Sequence, residues 1–190
     1  MKDSIKNIPY RRKRQGRTHY KKRIKTLLSD RPRFVVRKSL SNLHVSLIEY
    51  SPKGDKILLT VNSKALAKLG WKADNGNIPS AYLVGFMAGK QAQAKGIKEA
   101  ILDIGFNNSV KGSRIYATLA GALDSGLSIP ADKEILPSKD RLSGDHIAKF
   151  ASAMKADKAK YEKYFSVYLK KGLQPENLVS HFNEIKVKIK

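Results

Sequence analysis

The stretch from Tyr10 to Arg23 combines Arg11, Arg12, Lys13, Arg14, Arg17, Lys21, Lys22 and Arg23 with two aromatic rings, Tyr10 and Tyr20. Guanidinium groups fork onto phosphates and stack on bases, and tyrosine rings offer flat faces to unstacked bases. The chemistry of this stretch is the capture of nucleic acid. A membrane surface would instead call for an amphipathic helix with a broad apolar face, which these residues do not provide. With almost no aliphatic side chain, the stretch cannot fold on a core of its own, so an arm that orders on its partner is expected.

A second candidate is Lys111-Gly112-Ser113-Arg114, which follows an apolar run and opens a helical pattern. Backbone N–H groups at a helix start, with Lys111 and Arg114 beside them, suit a phosphate; the plainer reading is a Ser113 helix cap among solvated charges. Catalytic readings fare worse. Asp103 and Glu49 could lie on neighbouring strands of a metal-dependent nuclease, but residues 57–62 add no acid, and such sites need several converging carboxylates. The histidines, His19, His44, His146 and His181, are far apart, and there is no Cys, so a zinc site is not expected. Gly85 to Gln91 imitates a phosphate-binding loop, yet its glycines are one residue too close, Gln91 replaces the hydroxyl residue, and the pattern around it is helical. We expect no catalytic residue, no metal and no cofactor.

The whole chain of 190 residues holds 38 Lys or Arg against 16 Asp or Glu, a formal net charge of +22. Residues 1–38 contain 15 of these cations and two acids, so +13 is concentrated there and +9 is spread over the rest. This charge demands a polyanion. At 41% hydrophobic residues the chain is also long and apolar enough to bury one core. The absence of cysteine allows a reducing compartment, and neither a membrane span nor the apolar core of a signal peptide is visible. We expect a soluble, cytoplasmic protein that binds no membrane.

These residues need a scaffold. Thr18 should cap a short helix in which Ile24, Leu27 and Leu28 form a narrow apolar stripe, with Lys21, Lys22, Arg23 and Lys25 in solvent. Arg33 to Arg37, His44 to Tyr50 and Ile57 to Val61 read as strands separated by turns, an antiparallel meander with one core face and one face free to bind. A helix from Asn77 to Gly96 follows, in which Gly85, Ala88, Gly89 and Ala92 would allow close approach to the sheet. Ala100 to Gly105 reads as a strand covered on both faces and parallel to its neighbour, then a helix runs from Ser113 to about Gly126. The fold class is α/β, a mixed sheet of order β-β-β-α-β-α with a basic N-terminal arm and a helical C-terminal appendage. The expected divisions are residues 1–30 for the arm and its helix, 31–129 for the body, and 130–190 for an irregular connection, to Gly144, and helices over 146–154, 159–171 and 175–186.

Taken together, several segments resemble one family, the large-subunit ribosomal protein L-eighteen family in its archaeal and eukaryotic form. They are the arm from Pro9 to Tyr20, Phe34 to Ser39, the pair Asn42 and His44, Ala81 to Gly85 running into Ala88-Gly89-Lys90, Ala100 to Gly105, Lys111 to Arg114, Gly121 to Leu127, and Ile135 to Ile147. The resemblance implies a structural constituent of the large ribosomal subunit that binds 5S ribosomal RNA and holds it against the large ribosomal RNA in the central protuberance, beside neighbouring ribosomal proteins. It implies that Arg11 to Arg23 thread along RNA, that Arg37, Ser39, Asn42 and His44 present an open sheet region, and that Lys111, Ser113 and Arg114 make a helix-start phosphate contact. Leu43 stands where the family usually has a basic residue, and Ser46-Leu47 where it has Ala-Gln. The chain lacks the long C-terminal extension of eukaryotic members, so the archaeal form is the closer match. Two rival functions remain at this stage: a metal-dependent nuclease built around Asp103, and a non-specific nucleic-acid architectural protein, which the charge alone would allow.

Overall fold

Alternation of apolar and polar residues makes the first three strands, because each must put one side on a core and the other outward. In the computed structural model, which describes residues 8–189, they are β1 (Arg33–Lys38), β2 (Leu43–Glu49) and β3 (Lys56–Asn62), paired antiparallel as expected. A fourth strand, β4 (Ile101–Asp103), lies parallel to β1, so the sheet order is β3-β2-β1-β4. Phe34, Val36, Leu43, Val45 and Leu47 are at most 1% exposed and form the inner face. Burying each such side chain stabilises the fold by about 2 kcal/mol.

The expectation for β4 is corrected in its extent. It spans three residues at a sheet edge and is half-buried, not covered on both faces. Its outer side is approached by α2 (Tyr20–Leu27), which is preceded in the arm by the single turn α1 (Arg11–Arg14).

Two helices cover the inner face. The first, α3 (Ile78–Ala94), starts where the Asn77 side chain accepts the Ser80 N–H at 2.8 Å, with Pro79 in its first turn. The second is α4 (Arg114–Asp124). The small residues of α3 do bring it close to a neighbour, but the neighbour is α4. A Cβ at Gly85 would lie 1.9 Å from the Thr118 carbonyl oxygen, and one at Gly121 would lie 2.1 Å from that of Tyr82. The two backbones therefore touch, which only residues without a side chain permit.

Beyond residue 130 the connection expected to be irregular contains a 3-10 turn at Lys133–Ile135 and the short helix α5 (Lys139–Ser143). It is followed by α6 (Asp145–Met154), α7 (Lys158–Tyr164), α8 (Ser166–Lys170) and α9 (Leu178–Lys188). The helix expected over 159–171 is split at Phe165, whose ring is buried against Tyr161 and Tyr168. Packing of that ring wins over helical continuity. The C-terminal third is helical as expected, and Phe165, Tyr168, Leu178, Phe182 and Ile185 belong to the same apolar core as Phe34 and Val36. Polar contacts fasten α9 as well: Lys186 donates to the Tyr82 hydroxyl at 2.6 Å, which donates to Asp124 at 2.6 Å. Burial and the Asp124 carboxylate push the Tyr82 hydroxyl well above the usual tyrosine range.

Candidate nucleic-acid interface

Strand alternation sends Arg33, Val35 and Arg37 to the outer face of β1, where Arg33 is opposite Ile48 and Ile101, and Val35 is opposite Asp103. A guanidinium held against a sheet needs counter-charge, and two carboxylates supply it. Arg33, 4% exposed, donates from Nη1 to Asp103 at 3.1 Å and from Nη2 to Asp55 at 2.6 Å. The other oxygen of Asp55 accepts from Arg23 of α2 at 2.8 Å, and that of Asp103 accepts from Arg37 at 3.4 Å and from the Gly105 N–H at 2.8 Å. Three arginines and two aspartates thus alternate as Arg23, Asp55, Arg33, Asp103 and Arg37. Gly105 has φ 58°, and a Cβ there would lie 2.8 Å from the Arg37 guanidinium carbon, so glycine is what lets Arg37 lie down on the strand end. Arg37 also donates to the main-chain oxygens of Val36 and Asp103 at 2.9 and 3.0 Å.

The arm rests on this network. The expected Thr18 cap is corrected: the side chain that caps α2 is His19, whose Nδ1 accepts the Lys22 N–H at 3.2 Å. Thr18 is buried instead and accepts from Arg12 Nε at 2.8 Å, which competes for its hydroxyl. The apolar stripe is corrected too, since Ile24 and Leu28 are 59% and 80% exposed. Charge holds α2 in place, through Arg23 and Asp55, where the stripe does not. Arg23 was expected in solvent and is an ion-pair partner.

The remaining arm cations differ. Arg11, Lys13, Arg14, Arg17 and Lys21 are exposed, and among the described residues their side chains make no hydrogen bond or ion pair. Lys22 reaches only the Gly105 carbonyl, at 3.4 Å. Tyr10 is 73% exposed, and its ring centroid is 5.3 Å from that of Tyr20. Sequence reasoning missed a third aromatic here. Phe106, half exposed, lies 5.6 Å from the His19 ring and lines a groove of about 310 Å³ with Lys13, His19, Tyr20 and Lys21. Its signal was a lone Phe in the polar loop Gly105-Phe106-Asn107-Asn108.

The other predicted contacts occupy two adjoining turns. Ser39 Oγ donates to the Asn42 carbonyl and accepts the Asn42 N–H, each at 3.0 Å, and so closes the β1–β2 turn. Asn42 Oδ1 accepts from Ser63 at 3.3 Å, and Ser63 accepts the Leu43 N–H at 3.1 Å. His44 is exposed on the outer face, in register between Arg37 and Asn62. Arg114, at the start of α4, donates to the Leu40 and Gly76 carbonyls at 3.1 and 2.8 Å, which ties that helix to the β1–β2 turn. Lys111 is exposed. Ser113 has the extended backbone of an N-cap, yet its hydroxyl makes no cap bond and is buried without a partner among the described residues.

Asp103, the strongest catalytic candidate, has both oxygens engaged by guanidinium groups. Among the described residues no group of three His, Asp or Glu converges as a metal site, and no helix is long and apolar enough to cross a membrane. The model of a family described as ribosomal large subunit proteins 60S L5 and 50S L18 matches residues 6–99, the span from the arm through β3 and α3. The chain belongs to this family of large-subunit ribosomal proteins.

Proposed function

We propose that the protein binds 5S ribosomal RNA and anchors it to the large ribosomal RNA in the central protuberance, as a non-enzymatic constituent of the cytoplasmic ribosome. The observation that carries this reading is the row of exposed cations on α1, α2 and the segment between them, without ion-pair partners among the described residues and interleaved with Tyr10, Tyr20 and Phe106. Such a row neutralises phosphates while the rings receive bases, the combination single-stranded RNA requires.

In this proposal Arg11, Arg12, Lys13, Arg14, Arg17, Lys21 and Lys22 follow the RNA backbone. Arg23 and Arg37, pinned by Asp55 and Asp103, present one face each to it, with His44 beside Arg37. Ser39 and Asn42 shape the turn next to that patch. Lys111 makes the contact at the start of α4, which Arg114 and Ser113 position. The C-terminal helices, on which Phe150, Tyr164 and Val167 are exposed, meet neighbouring ribosomal proteins.

The test is a protection footprint of 5S RNA with the full chain and with residues 18–190, repeated at several salt concentrations. Loss of one contiguous protected segment on truncation supports the arm as the RNA-threading element. Identical footprints would place recognition on the sheet and turns. Magnesium-dependent cleavage of the RNA, abolished by Asp103→Asn, would overturn the non-enzymatic reading.

A further inference from the structure

Between the arm and the outer face of the sheet lies a cavity of about 130 Å³. Six cations line it, Arg12, Arg17, Lys22, Arg23, Arg33 and Arg37, against two carboxylates, Asp55 and Asp103, a formal excess of four positive charges. Both carboxylates are already engaged by Arg23, Arg33 and Arg37. Arg17 has no acceptor among the described residues, and Lys22 has one long contact to a carbonyl.

The most buried member supplies an independent sign. The Arg33 side chain is 5% exposed, and its Nε is buried with no hydrogen-bond partner among the described residues. A desolvated guanidinium N–H without an acceptor, beside cations that outnumber their counter-charges, is satisfied by an oxyanion. A metal cation would be repelled, and an apolar ligand would strip water from charges without replacing it.

We infer that this cavity is a phosphate site and that it takes one phosphodiester group of bound RNA; the source of the phosphate rests on the RNA-binding reading above. The anion bridges arm cations, Arg12, Arg17 and Lys22, to sheet cations, Arg33 and Arg37. Engagement of RNA at this point therefore fastens the arm to the sheet.

The experiment follows the arginine Nε–Hε resonances of the full-length, isotope-labelled protein while inorganic phosphate is added, with sodium chloride of matched ionic strength as the control. Arg33 Nε should shift saturably with phosphate and little with chloride. Arg17→Gln, an exposed change that leaves the core alone, should weaken phosphate binding about tenfold, the effect of one lost charge-assisted hydrogen bond. Prebound 5S RNA should abolish the phosphate response. Shifts equal to those in chloride, or an unaltered titration in Arg17→Gln, would overturn the site, and Arg33→Gln is not needed for the decision. RNA that binds, by fluorescence anisotropy, yet leaves the phosphate response intact overturns the phosphodiester assignment without touching the RNA reading. RNA that fails to bind overturns that reading, and the phosphate titration then reports on the cavity alone.

Discussion

The arginines of β1 and those of the arm are the same residue type 16 to 26 positions apart in the chain, and the fold uses them differently. Arg33 and Arg37 lie among carboxylates, and their partners come from Asp55 and Asp103, far along the sequence. Arg11, Arg14 and Arg17 are exposed and form no ion pair among the described residues. Net charge therefore separates into a structural part and a part free to meet a polyanion. A basic segment is read correctly only after its internal counter-charges have been subtracted.

The comparison breaks most visibly at Asp103. Asp103→Ala leaves a buried guanidinium with one carboxylate fewer and should destabilise the protein by about 3 kcal/mol in denaturant unfolding. If stability is instead unchanged, Arg33 is not held by charge and the distinction fails. Next in size is Arg114→Ala, which removes the donor to two carbonyls and loosens the start of α4 from the β1–β2 turn. A loss of about 1.5 kcal/mol is expected, read in the same assay.

A smaller effect contrasts charged groups with groups the fold keeps neutral. Burial pushes the imidazoles of His181 and His146 below their usual value, with Lys72 acting the same way on His181 and Arg141 on His146. His181 lies against Trp71 with ring centroids 5.2 Å apart and accepts the Lys72 N–H through Nε2 at 3.1 Å. The unfolded chain takes up these protons first, so stability is complete above about pH 6.5 and falls as pH drops through the lowered folded values. Unfolding midpoints measured at pH 7.5 and 5.0 should differ in that direction, and His181→Gln should shrink the difference. The smallest effect is expected at Lys111→Gln, which should leave stability within about 0.5 kcal/mol and reduce the salt slope of RNA binding by less than about one unit.

Much of the fold could be read from local pattern. The alternation in β2 places Leu43, Val45 and Leu47 inward, and Asn77 with Pro79 marks the start of α3. The candidate site was legible as a list of cations and only partly as a geometry. That Arg33 and Arg37 would meet Asp103 depends on parallel pairing of β1 with β4, which joins residues about seventy positions apart and leaves no local trace. The cap of α2 went to His19 because Arg12 occupies the Thr18 hydroxyl, a competition no propensity describes. The small residues of α3 announced a close approach, but only the position of α4 shows what approaches. Phe106 escaped notice because a single ring in a polar loop gains meaning only from the His19 ring beside it.

The central claim is that the arm cations without an ion-pair partner among the described residues, more than the paired ones of the sheet, carry the electrostatic part of RNA binding. Its most direct test is the slope of log Kobs against log salt for 5S RNA, measured on the unchanged protein and on the triple variant Arg11→Gln, Arg14→Gln, Arg17→Gln. Three lost phosphate contacts should make the slope shallower by about two units, with the unfolding midpoint unchanged. An unaltered slope in a normally folded variant would contradict the account.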